Sequence, residues 1–220
     1  MATVQPQSIL EQFRWRYATK KFDTSKKIAP DLWRSIEEAA VLAPSSYGLQ
    51  PWKFLVIDNP VTRAKLREVS WNQPQITDAS HLVVFCRRAN LDTAYVDRYI
   101  AHTAKTRGVS HEALAGFRDM MLGSIGTPAN LPGGAMDTYT RSQTYIALGF
   151  ALAAASMLGV DACPMEGFNP AAYDEVLGLA PLGLRATVVG TFGYRAGDDA
   201  VDPTRAAKVR FAHTDVVEHV

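Results

Sequence analysis

The run His81-Leu82-Val83-Val84-Phe85-Cys86 constrains the fold more than any other stretch of this chain. Five apolar residues follow His81 without interruption, a length that suits a strand and leaves no face for water. The run therefore reads as a central strand buried on both sides. Leu184 to Tyr194, rich in valine and threonine, reads as the last long strand, and Phe54 to Ile57 as a shorter one. Helical spacing of apolar residues predicts helices from Ser8, from Pro30 through Ala43, over Val61 to Val69, Asp92 to Gly108 and Ser110 to Gly123, and around Ala171 to Leu177. Thr138 to Leu158 is expected to be a long helix. Its small residues (Ala147, Gly149, Ala151, Ala153, Ala154, Ala155, Ser156) would let neighbours approach on more than one face, as in a core or dimer helix. Asp215 to Glu218 could add a short edge strand. With 220 residues, 47% of them hydrophobic, one sizeable core is affordable, and residues 1–220 are expected to form a single domain.

Charge and motifs exclude several functions. The 23 lysines and arginines nearly balance 22 aspartates and glutamates, so neither nucleic acid nor an anionic membrane has its electrostatic footprint, and a small ligand is expected. The two cysteines, Cys86 and Cys163, lie in apolar segments, which suits buried reduced thiols and a cytoplasmic setting. The first fifteen residues lack the charged start and apolar block of a secretory signal. Tyr145 to Val160 is apolar but falls short of the ~20 residues of a membrane span. His81 has no histidine or carboxylate at metal-ligand spacing, and no metal site is expected. The chain has no Gly-x-Ser-x-Gly elbow and no Gly-x-Gly-x-x-Gly turn after a strand, and the Gly126 to Gly134 loop lacks the ending of a phosphate-binding P-loop. Tyr17 and Lys21 have the Tyr-x-x-x-Lys spacing of short-chain dehydrogenases, but without that glycine-rich turn the spacing carries no weight.

What remains is dispersed. Pro44-Ser45-Ser46-Tyr47-Gly48-Leu49-Gln50-Pro51-Trp52 combines turn formers with hydroxyls and must be a loop, either an ordinary helix-to-strand connection or a binding segment. Arg16, Lys20, Lys208 and Arg210 supply cations, Asn72 and Gln75 supply amides, and Pro164-Met165-Glu166-Gly167 is a turn whose glycine permits close approach. Together these side chains suit one phosphate and a polar heterocycle.

In these segments the chain resembles the nitroreductase family of FMN enzymes. The likeness is carried by Arg16 to Lys20, the Pro44 to Trp52 loop, Asp78-Ala79-Ser80-His81 leading a strand, Pro164 to Phe168, and Lys208 with Arg210, all in order and over nearly the whole chain. It implies an α+β sandwich with a mainly antiparallel sheet and an intertwined homodimer holding two FMN sites at its interface. By the resemblance, Arg16, Lys208 and Arg210 would hold the phosphate, and Lys20, Asn72 and Gln75 the pyrimidine edge, with Tyr17, Ala18 and Thr19 alongside. Pro164, Met165, Glu166 and Gly167 would lie along one ring face, with the Glu166 backbone N–H near N5. Glu166 and Lys20 would thus be the groups nearest the chemistry. Pro44, Ser45 and Ser46 would reach the partner subunit's flavin. The implied activity is ping-pong hydride transfer from NADH or NADPH to a small-molecule acceptor, a nitroaromatic or quinone. A flavin-cleaving or reductive-dehalogenating enzyme, or a flavin-binding protein without turnover, are the alternatives.

Three places depart from the family pattern. Gln75 stands where relatives often carry lysine, Tyr17-Ala18 replaces a His-Ser or Arg-Ser pair, and Tyr47-Gly48 replaces smaller or amide residues. Tyr47 and Gly48, with Phe117 as a possible aromatic gate, are therefore the expected substrate-facing residues.

Overall fold

The central strand forms as its composition requires. In this computed structural model, which describes residues 4–126 and 135–220, His81–Arg88 (here β2) lies in a four-stranded sheet. Its neighbours are Trp52–Val56 (β1) and Leu184–Gly193 (β4), and Asp161–Met165 (β3) pairs with the far side of β4. The order is β1-β2-β4-β3 and every pair is antiparallel.

Alternate residues of β2 enter different cores. Leu82, Val84 and Cys86 join one cluster with Leu66, Ile76 and Tyr173, whereas Val83 and Phe85 join another with Trp33, Ile36, Leu148 and Ala151. The helices Pro60–Glu68 (α3), Gln75–Asp78 (α4) and Pro170–Val176 (α8) thus cover one face. Pro30–Val41 (α2) and Met136–Met157 (α7) cover the other. A register shift between Phe85 and Cys86, opposite Thr187, keeps β4 consistent with both layers. Leu184 and Ala186 face the first core and Val188 the second, while Val189 returns to the first because the bulge inverts the alternation.

Thr93–Arg107 (α5) and Ala115–Ile125 (α6) leave the sandwich and build a third cluster with Leu49 and Tyr139. Asp92 starts α5 by accepting from the Tyr95 N–H at 2.8 Å, and Gly108 ends it in the left-handed conformation. The first helix, Pro6–Trp15 (α1), has no fully buried residue and touches α7. Among the described residues no helix is long and apolar enough to cross a membrane.

The structure corrects two expectations. His213–Val216 is a single exposed helical turn, not an edge strand, because the Asp215 carboxylate accepts from the Ala212 N–H and closes the backbone locally. Pro164 and Met165, expected in a turn, instead close the edge strand Asp161–Met165, with Pro164 tolerated where one side of the strand has no continuous ladder. The predicted loop from Gly126 to Gly134 lies, beyond its first residue, outside the described residues.

Candidate functional site

The segment after α1 is laid along the free edge of β3. Ala18 bridges Ala162, and the Thr19 N–H donates to the Ala162 carbonyl at 3.3 Å. One buried carboxylate fixes this segment. Asp199, 2% exposed, accepts from the Tyr17 hydroxyl at 2.8 Å and from the backbone N–H groups of Lys20 (2.8 Å) and Lys21 (3.0 Å). Burial alone would raise the Asp199 carboxyl, but these donors hold it below the usual carboxylate range. Burial first, then the contact with Asp199, pushes the Tyr17 hydroxyl up, so it stays a proton donor.

Beside it, Arg195 donates to Asp161 at 2.6 Å and to Asp202 at 2.8 Å, and its guanidinium stacks over the rings of Trp15 (4.4 Å) and Tyr17 (4.6 Å). Hydrogen bonds from Thr204, together with Arg195, hold Asp202 down at about 2. A carboxylate depressed in this way stabilises the fold above its unfolded value of about 4 and loses that contribution as pH falls toward 2. Thermal melts should therefore drop between pH 4 and 2, and Asp202→Asn should flatten that limb. An unchanged acid limb would refute the assignment.

Above this frame lies a cleft of ≈ 510 Å³ lined by Arg16, Tyr17, Ala18, Lys20, Pro164, Lys208 and Arg210 among others. Residues almost two hundred positions apart meet here. The Lys208 ammonium donates to the carbonyls of Phe13, at 2.5 Å, and Arg16, so the late segment is pinned to the end of α1. Burial and then Arg210 lower the Arg16 guanidinium, and burial, Arg16 and Arg210 lower the Lys208 ammonium. Three cations thus repel one another, and among the described residues none has a carboxylate in salt-bridge range. Such a cluster is built to receive an anion.

Lys20 points its ammonium toward the Cys163 thiol at 3.8 Å. Cys163 and Cys86 are both buried and free, and burial pushes the Cys86 thiol up to about 12. Met165 is buried under the turn, and the Glu166 carboxylate accepts from the Tyr145 hydroxyl of α7. Burial, then that contact, raises Tyr145 to about 12.

Asn72 and Gln75 do not line the cleft. Asn72 lies in the loop before α4 and Gln75 begins α4, and this segment is tied to the turn after β3 because Gln73 donates to the Gly167 carbonyl at 2.7 Å. A side chain on Gly167 would stand 2.6 Å from the Trp71 ring, so only glycine admits the contact. Trp71 (φ 52°) and Asn72 (φ 56°) hold the left-handed conformation, a strain that the packed neighbours must sustain. Gln75 is 4% exposed and its Oε1 has no protein partner, nor does the Oγ1 of buried Thr19. An unpartnered amide oxygen and an unpartnered hydroxyl, neither of them lining the cleft, suit a ligand with N–H donors, and the cations suit an anionic group.

Pro44, Ser45 and Ser46 are not in this cleft. Ser46 donates its N–H to Gln143 at 2.8 Å and accepts from the Tyr139 hydroxyl at 3.1 Å, while the Ser45 hydroxyl accepts from the Gln50 N–H at 2.9 Å. Tyr47 (φ 59°) packs with Phe117 in the α5 and α6 cluster, its hydroxyl 2.7 Å from that of Ser124. Gly48 (φ 73°) abuts the Tyr99 hydroxyl. The residues expected to face substrate are thus gathered together, at a second location.

Sequence reasoning missed Asp199, Arg195, Gln73 and Tyr145. No local pattern marks them, since each acts on a segment far from it in the chain. His81 is structural here: its ring stacks on Trp33 at 4.0 Å and its Nδ1 lies 3.1 Å from the Ser80 hydroxyl.

Comparisons with known proteins agree with this fold. A family model described as the Nitroreductase family matches residues 13–194. The Bacillus subtilis (strain 168) protein named "Putative NAD(P)H nitroreductase YfkO" is 36% identical over 228 residues, covering 100% of both chains. Among solved structures, a nitroreductase-like protein from Streptococcus mutans superposes with TM-score 0.80 at 20% identity, covering 98% of this chain and 100% of that one. One from Exiguobacterium sibiricum 255-15, titled a "putative nitroreductase in complex with FMN", gives 0.77 at 23%, covering 100% and 99%. At these identities the structural likenesses speak to the fold alone.

Proposed function

Because this chain belongs to the nitroreductase family, we propose that it is an FMN-dependent oxidoreductase. Its electrons would come from NADH or NADPH and go to nitroaromatics or quinones in a ping-pong cycle, with a homodimer as the working unit. The observation that supports this most is the uncompensated cluster of Arg16, Lys208 and Arg210 at the mouth of a cleft floored by Pro164.

In this reading Arg16, Lys208 and Arg210 bind the ribityl phosphate, the backbone at Tyr17, Ala18 and Thr19 lines the ring, and Lys20 with Asn72 and Gln75 addresses the pyrimidine edge. FMN, when bound, supplies hydride acceptance and donation at a single ring. The chain's own residues bind, orient and polarise. Lys20, held through its backbone by Asp199, places a positive charge where the reduced cofactor would gather negative charge. Tyr145 holds the Glu166 carboxylate, and the Pro164 to Gly167 backbone would lie along the ring with the Glu166 N–H toward it. Pro44, Ser45 and Ser46 serve the partner's site, and Tyr47, Gly48 and Phe117 shape its substrate mouth. The exposed apolar residues Ile146, Phe150 and Met157 on α7 give a second protomer a surface to cover.

The purified protein should be yellow and should lose its colour anaerobically with NADH or NADPH, then regain it on addition of a nitroaromatic or quinone. Colourless protein that fails to take up FMN would overturn the assignment. Flavin that is reduced yet reoxidised by no acceptor would favour a binding protein without turnover.

A further inference from the structure

A second cleft, of ≈ 440 Å³, lies away from the Arg16 cluster and begins where the Ser45 to Gly48 turn ends. Lys53 of β1, Arg88 at the end of β2, and Arg98 and His102 of α5 converge on it, and no carboxylate lines it. Asp92, in the adjoining cleft, is engaged in capping α5. The side chains of Lys53 and Arg98 have no hydrogen-bond or salt-bridge partner among the described residues. Arg88 has a buried Nε without a partner, while one of its terminal nitrogens donates to the Leu182 carbonyl at 3.3 Å.

The cations are also organised. The ring of Tyr95 carries the guanidinium of Arg98 at 4.7 Å and that of Arg88 at 5.4 Å. Its hydroxyl is anchored to the carbonyls of Leu49 (3.1 Å) and Gln50 (2.9 Å), and Gln50 holds a left-handed φ of 46°. Guanidiniums held against one ring offer forked donors to a phosphate, and Tyr99 lines the same cleft as a flat partner for a base. Leu49 and Gln50, which follow Gly48, line this cleft and Tyr99 abuts Gly48, so the cleft adjoins the Ser45 to Gly48 turn.

We propose that this cleft binds the phosphorylated adenosine end of the nicotinamide donor, with Arg98 and Arg88 taking the 2′-phosphate, so that NADPH is favoured over NADH. The donor role rests on the function proposed above, whereas binding of the half-nucleotide is tested without it. Calorimetric titration of FMN-supplemented protein with 2′,5′-ADP should show binding at least tenfold tighter than 5′-AMP. Arg98→Glu should weaken 2′,5′-ADP at least tenfold, and the exposed Lys65→Glu should leave it unchanged. Absent binding, equal affinity for the two nucleotides, or a loss caused by Lys208→Ala rather than Arg98→Glu would overturn the site. If colourless protein still binds 2′,5′-ADP through Arg98, the cleft stands and the flavin reading falls.

Discussion

Arg195→Met is expected to destabilise the protein by about 3–5 kcal/mol, the cost of leaving a buried carboxylate without its partner. Asp161 is 3% exposed and takes two guanidinium contacts as well as the Arg195 N–H at 2.8 Å; after the substitution only the backbone donor remains. In a domain of this size each kcal/mol is worth roughly 2–4 °C, so the melting temperature should fall by about 6–20 °C. The double variant Arg195→Met, Asp161→Leu should recover much of the loss, because removing both members also removes the stranded charge. Chemical denaturation of the three proteins checks this. A single-variant loss below about 1 kcal/mol would show that the pair is no more than a surface ion pair. The network also carries Trp15 and Tyr17 on its guanidinium, so cofactor affinity should fall with it.

Arg210→Ala should act in the opposite sense on stability and binding. Losing one charge-assisted contact to a phosphate, about 1.5–3 kcal/mol, should raise the FMN dissociation constant roughly 10- to 100-fold. The cofactor-free protein should melt no lower, and slightly higher, because Arg210 opposes both Arg16 and Lys208 and, among the described residues, forms no salt bridge with a carboxylate in return. Lys105→Ala, on α5 and outside the cleft, should change neither quantity. Fluorescence titration with FMN and melts of the apoprotein separate the two effects. Equal FMN constants for Arg210→Ala and Lys105→Ala would remove Arg210 from the site.

Read in order, the amino acids determine most of the architecture. The unbroken apolar run of β2 required cover on both faces, and the covering helices other than the short α4 were legible from their spacing, as was the valine-rich β4. The register break opposite Thr187 was not legible, because a bulge leaves composition unchanged while inverting which residues face each core. The edge strand Asp161–Met165 was hidden by its proline, and the helical turn at His213–Val216 by a valine pair whose local capping outweighs strand propensity.

The candidate site divides in the same way. Motifs in register marked Arg16 to Lys20, Pro164 to Gly167, and Lys208 with Arg210, since a loop that must expose cations or a bare backbone carries its residue types in sequence. That these three segments share one cleft while Ser45 to Gly48 lies elsewhere was decided by the tertiary structure alone. Asp199 reaches back 179 positions to hold the Lys20 backbone, and Tyr95 spans 45 to grip Gln50. Such contacts depend on which surfaces pack together, and packing is settled by burial summed over the whole chain rather than by any neighbourhood within it.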